Sequence, residues 1–155
     1  MRERARDKGR LEDIIEYSTN VTNLIEGYSL EALIADKRTY YSVMKNIEVV
    51  GEAAYMLTKA FKKLHSEIPW KVVQGMRHVL VHDYANVVSA TLYDTAVNDM
   101  LPLRQQAERY LAETDWDEWA LRLVFEWLDL HRDELLENWE RLSNSEAAKK
   151  IEPLK

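Results

Sequence analysis

Three features predict an all-α protein, an antiparallel four-helix bundle with an additional long C-terminal helix or helical hairpin. Apolar residues recur at three- and four-residue intervals through most of the chain. No stretch alternates apolar and polar residues for long enough to make a strand. Four glycines and three prolines punctuate 155 residues, and short connections favour antiparallel neighbours.

Leu11, Ile14, Ile15, Ser18, Val21 and Leu24 line one face of the first helix, which Gly27 ends. A turn and a short SLEAL segment follow. From Thr39, the series Tyr40, Met44, Ile47, Val50, Ala54, Leu57, Phe61 and Leu64 predicts one helix of about seven turns, broken by His65 and Ser66. Tyr40 and Tyr41 are both expected in the core. Pro69 opens the third helix at a favoured first-turn position, Trp70, Val73, Met76, Leu80 and Val81 turn inward, and Asn86 closes it. Val88, Leu92, Ala96 and Leu101 mark a fourth helix, which Pro102 should kink or restart. Thr114-Asp115 are good N-cap residues for a tail in which Trp116, Trp119, Leu123, Trp127, Leu130, Leu135, Trp139 and Leu142 keep helical spacing. Local rules make that tail one helix of roughly 28 residues, ~42 Å long. Its apolar stripe exceeds what a small bundle covers, so either the helix folds back near His131-Arg132 or its Trp face packs on another chain, the preferred reading.

Composition excludes several function classes. With no cysteine there is no disulfide framework and no thiolate zinc site, and a reducing, cytoplasmic setting is expected. The scattered glycines match neither the Walker nor the Rossmann phosphate loop. No apolar run approaches the roughly 18 residues of a membrane span, and the charged opening MRERARDKGR is not a secretion signal. Residues 1–112 carry 15 basic and 15 acidic side chains, whereas 113–155 carry 6 and 12, which supplies the whole net charge of -6. That shift predicts two parts, a neutral body at 1–112 and an acidic, Trp-rich helical tail at 113–155. The acidic flanks make the Trp stripe a packing surface rather than a base-stacking one, since they repel phosphate.

The chemistry-bearing stretch is Met76-Arg77-His78-Val79-Leu80-Val81-His82-Asp83-Tyr84. It sets a permanent cation, two imidazoles, a carboxylate and a phenol on an otherwise apolar segment. Arg77 and Tyr84 lie about 20° apart around an ideal helix, whereas Arg77 and His82 differ by about 140°. One copy does not easily aim both at one target; two copies meeting across a two-fold axis would. The pair His78/His82 alone makes a weak metal site.

Arg-x4-His-x-Tyr on the third helix of a small bundle resembles the HEPN superfamily, and specifically the HepT-like toxins, over about residues 6–110. RDKGRLEDIIEY is similar to that family's opening helix, NIEVVGEAA (Asn46 to Ala54) to its second block, and IPWKVVQGMRHVLVHDY to its motif block; the Leu101-Pro102 pair also fits. The resemblance implies a homodimer or higher oligomer acting on RNA as a metal-independent endoribonuclease without a cofactor. It also implies a toxin whose antitoxin, a minimal nucleotidyltransferase, transfers AMP to the motif tyrosine. Carried over residue by residue, Arg77 binds phosphate, His82 is the acid-base catalyst and Tyr84 accepts AMP, with His78 and Asp83 as candidates for assistance. Two positions depart from the pattern: His78 stands where the family usually has Asn, and Lys45 where it has Arg. The segment ALRLVFEWLDLHRDELLENWER with KKIEPL resembles the C-terminal end of an uncharacterised bacterial family that accompanies toxin-antitoxin loci. The alternative is a catalytically inactive HEPN-fold protein that binds nucleotide or RNA or serves assembly, or a plain helical interaction module.

Overall fold

The computed structural model describes residues 6–82 and 87–153, without the side chains of Arg6, Val81 and His82. By its contacts the chain divides into two compact units, Met1–Glu113 and Thr114–Lys155. Among the described residues there is no strand, and no helix is long and apolar enough to cross a membrane.

The first unit comprises α1 (Arg6–Ile25), α2 (Leu30–Ala35), α3 (Lys37–Met56), α4 (Lys59–Leu64), α5 (Trp70–His82), α6 (Ser89–Asp94) and α7 (Met100–Glu113). Helix α3 packs on α1 and α5, and α1 packs on α7. The bonds between them show antiparallel neighbours. At one end, Asp36 caps α3 by accepting from the Arg38 and Thr39 amides at 3.1 and 3.3 Å, and the Tyr28 hydroxyl after α1 donates to it at 2.9 Å. Thr39 and Tyr28 hold the Asp36 carboxyl below its ordinary pKa. Gly27, at φ 75°, supplies the left-handed residue that releases the chain from α1. At the other end, the Asp7 carboxylate of α1, 1% exposed, accepts from the Thr58 amide and hydroxyl, both at 2.7 Å.

That last contact corrects the expected seven-turn second helix. α3 stops at Met56 and α4 restarts at Lys59, with Thr58 as N-cap, its hydroxyl accepting from the Phe61 amide at 3.1 Å. A side chain 51 positions earlier holds Thr58 in an extended conformation, and the apolar spacing continues across the break without revealing it. Leu64 is 55% exposed, and Tyr41 is 58% exposed while Tyr40 is 8%. Only Tyr40 belongs to the core.

The fourth helix does not stop at Pro102, and the kink or restart expected of that proline falls just before it. It runs from α6 through a π-helical turn at Thr95–Asp99 into α7, which ends at Glu113. Proline has no amide hydrogen and crowds the carbonyl four residues earlier, here that of Asn98, and the widened turn sits where that mismatch falls. Val88, expected on the inner face, precedes α6 and is 62% exposed. The expected closure of α5 at Asn86 lies outside the described residues.

In the second unit, Asp115 caps α8 (Trp116–Leu130) by accepting from the Asp117 and Glu118 amides at 3.1 and 3.0 Å. Of the two expectations for the tail, one long helix or a break near His131-Arg132, the structure has the break, because His131 (φ -111°, ψ 16°) separates α8 from α9 (Arg132–Ser143). The His131 ring lies 4.9 Å from that of Trp127, and its Nδ1 is 3.1 Å from a Glu134 carboxylate oxygen. Beyond Ser145, in the left-handed region at φ 61°, the chain returns alongside both helices. Asn138 and Lys149 exchange two bonds of 2.8 and 2.6 Å, and Trp127 Nε1 donates to the Glu152 carbonyl at 2.8 Å.

Candidate functional site

The site is organised by one close crossing. Gly51 of α3 meets α5 so tightly that a Cβ built on it would stand 2.7 Å from Arg77 Cβ and 3.2 Å from both the Arg77 amide nitrogen and the Val73 carbonyl oxygen. A glycine inside a helix costs about 1 kcal/mol relative to alanine, and here it admits a neighbouring backbone. One turn on, Gln74 Nε2 donates to the Ala54 carbonyl at 3.4 Å. The crossing thus fixes where the Arg77 stem leaves α5.

The Arg77 guanidinium, half-buried, pairs through Nε with Glu52, the residue after Gly51. Its central carbon lies 5.2 Å from the centre of the Tyr55 ring, one turn further along α3. Lys62 of α4 completes the cluster. Its ammonium donates to the Tyr55 carbonyl at 2.9 Å and the Ala54 carbonyl at 3.3 Å, and stands 6.0 Å from the Tyr55 ring. A lysine on the last carbonyls of α3 offsets the negative end of that helix. Burial lowers the Lys62 pKa, opposed by the charge of Asp7.

Of the other sequence candidates, His78 follows Arg77 and is exposed. His82 is the last residue of α5, so its backbone position is known, five residues and about 140° around the helix from Arg77. Asp83 and Tyr84 lie outside the described residues, as does the side chain of His82. Lys45, exposed on α3, pairs with Glu48 at 2.6 Å, and Asn46 bonds the Ser42 carbonyl within its own helix at 2.7 Å. Of the residues gathered at this crossing, the sequence singles out only Arg77 as a candidate; Gly51, Glu52, Tyr55 and Lys62 carry no such expectation. The one available signal was Gly51 itself, an interior helix glycine of the kind that marks a close approach.

Next to the crossing, α3, the start of α5 and α7 enclose a cleft of about 360 Å³, lined by Val50, Gly51, Val73, Met76, Met100 and Leu103 among others. Its far wall is tied by Glu67, which accepts from the Tyr110 hydroxyl at 2.6 Å and Arg109 at 3.3 Å. Tyr110, 1% exposed, has its pKa pushed up to about 12 by burial and by this bond. His65 stacks between Phe61 and Tyr110 at 4.4 and 3.9 Å, and burial holds its imidazole below the ordinary value, against the pull of Glu67. This cluster joins the α4–α5 connection to the end of α7 and is structural. Among the described residues no three His, Asp or Glu side chains come together as a metal site requires.

The family model for HepT-like ribonucleases matches residues 13–110. A protein of Thermococcus cleftensis named a probable ribonuclease HepT is 33% identical over 102 residues, 66% of this chain and 93% of the relative. Proteins of Methanocaldococcus jannaschii and Caldanaerobacter subterraneus, both named as RNases by inference, are each 30% identical, over 70% and 65% of this chain and 89% and 90% of theirs. No solved structure matches the chain at a significant level.

Proposed function

The chain belongs to the HepT-like ribonuclease family, and from that premise we propose that it is a metal-independent endoribonuclease, the toxin half of a pair with a nucleotidyltransferase antitoxin. The observation that carries this reading is Arg77, held at the α3–α5 crossing five residues before His82. Cleavage of RNA without a metal needs three things. A base takes the proton of the 2′-hydroxyl, whose oxygen attacks phosphorus. An acid protonates the departing 5′-oxygen as its bond to phosphorus breaks. Positive charge stabilises the phosphorane between those events. An imidazole titrating near neutrality serves as base or acid, and a guanidinium offers phosphate a fork of donors. Glu52 engages Arg77 at Nε, so the terminal nitrogens supply that fork. Because positions 77 and 82 lie about 140° apart around one helix, the proposed site is composite: Arg77 from one subunit faces His82 from the other across a two-fold axis. His78 and Asp83 flank these groups in sequence and assist binding.

Antitoxin control is proposed to act at Tyr84, where attached AMP would set a phosphate and a base beside Arg77 and fill the RNA site by charge and bulk. Incubating the protein with its cognate nucleotidyltransferase and ATP should add one AMP mass by intact mass spectrometry. The adduct should be absent from Tyr84→Phe and should abolish cleavage of total RNA in EDTA. An adduct that persists in Tyr84→Phe places control elsewhere.

A second reading, a non-catalytic assembly protein, is favoured by one observation. The second unit leaves Leu121, Phe125, Leu130 and Trp139 between 58% and 81% exposed. Under it, deleting residues 114–155 lowers the oligomeric size and no RNA is cut by either form.

A further inference from the structure

We propose that Tyr55 is the platform on which one unpaired nucleobase of the RNA stacks while Arg77 holds the adjoining phosphate, an inference that rests on the ribonuclease reading. Tyr55 is 54% exposed on the last turn of α3, yet it is held. Lys62 bonds its carbonyl, and its ring centre lies 5.2 Å from the Arg77 guanidinium carbon and 6.0 Å from the Lys62 ammonium. The other cation–ring pairs among the described residues use Tyr40, Tyr110 and Trp119, whose rings are buried and offer no face to a ligand. Other exposed aromatics lack this setting. Tyr41 meets Tyr40 edge-on at 5.6 Å, and Trp139 and Phe125 sit on helices rich in Glu and Asp.

An exposed aromatic beside two cations is what single-stranded nucleic acid recognises, because a base stacks on the ring while its phosphates meet the charges. Every base has a π-face, so such a platform tolerates any sequence but requires the base to be out of a duplex. The substrate class that follows is RNA cut at unpaired nucleotides, in loops or single strands, with little preference for base identity at this position.

The test measures binding rather than cleavage, in a His82→Ala background. The probes are a fluorescent twelve-nucleotide single-stranded RNA, the same RNA annealed to its complement, and a strand of equal length whose central nucleotides lack bases. Adding Tyr55→Ala should weaken single-strand binding by roughly fivefold to a hundredfold. Tyr55→Phe and the control Tyr41→Ala should leave it unchanged. The abasic strand should bind the His82→Ala protein weakly and gain no further loss from Tyr55→Ala, a pattern that mere positioning of Arg77 would not give. The duplex should bind more weakly than the single strand. If Tyr55→Ala binds the intact strand as tightly as its parent while Arg77→Ala does not, the platform is wrong and the ribonuclease reading stands. The platform is equally wrong if Tyr55→Ala costs as much with the abasic strand as with the intact one. If no form binds RNA, both fall.

Discussion

The two units carry the same apolar periodicity and treat it in opposite ways. In α3, Val43, Ile47, Val50 and Ala54 are each 2% exposed or less, covered by α1 and α5. In α8, Leu121, Val124, Phe125 and Leu128 repeat at helical spacing and are 58%, 45%, 62% and 38% exposed. Periodicity states which face of a helix is apolar, and the neighbours that other parts of the chain supply decide whether that face is closed. The first unit has antiparallel partners for its stripes. The second has α8, α9 and a returning segment that is fastened largely by polar bonds, to Asn138, Arg141 and Trp127 Nε1.

Substitution should expose this contrast in order of size. Ile47→Ala should destabilise the first unit by about 2–5 kcal/mol in denaturant unfolding, since it leaves a void that packed helices do not refill. Asp7→Ala should cost about 2–4 kcal/mol, because it removes a buried carboxylate and leaves the half-buried Thr58 amide and hydroxyl without their acceptor. A small effect from Asp7→Ala would mean that α3 and α4 separate for reasons local to Thr58.

Titration is the next lever. His65 is held below its ordinary pKa, so the unfolded chain binds its proton more readily, and stability falls as pH drops below about 6.5. Glu67, lowered chiefly by the Tyr110 bond, acts in the same sense further into acid. Tyr110 works at the other end. With its pKa raised to about 12 it stabilises the fold below pH ~10, and that contribution is lost as pH rises from there toward 12. Thermal melts should decline in both directions, and Tyr110→Phe should flatten the alkaline arm. The smallest effect belongs to the open face. Leu121→Ala should change stability by no more than about 0.5 kcal/mol. A loss as large as that for Ile47→Ala would show that the α8 stripe is covered in solution and would erase the contrast.

The same contrasts separate what the sequence reveals from what it hides. The inner stripe of α1 was legible at Leu11, Ile14, Ser18 and Val21, all fully buried, while Ile15 and Leu24 lie at its edges, half-buried. So was the Asp115 cap, because caps are local chemistry. The break at Thr58 was not, because its cause is a carboxylate 51 residues away. The break at His131 involves no Gly or Pro, so only the length of the uncovered stripe pointed to it as one of two alternatives, and the exposure of Tyr41 beside the buried Tyr40 turns on which neighbour each faces. At the site, Arg77 stood out by its spacing from His82 and Tyr84. Glu52 and Tyr55 look like ordinary positions on an amphipathic helix until α5 is laid across Gly51.

The proposed cleft is completed by two subunits, and mixing inactive variants tests that most directly. Arg77→Ala and His82→Ala should each lower cleavage of tRNA or total RNA in EDTA by about 10²–10⁴-fold. When the two are unfolded together and refolded as a mixture, half of the dimers pair one of each, and one of their two clefts then joins an intact Arg77 to an intact His82. Activity should return to about a quarter of the wild-type rate. A mixture as inactive as its components, with subunit exchange verified by native mass spectrometry, would contradict the shared site.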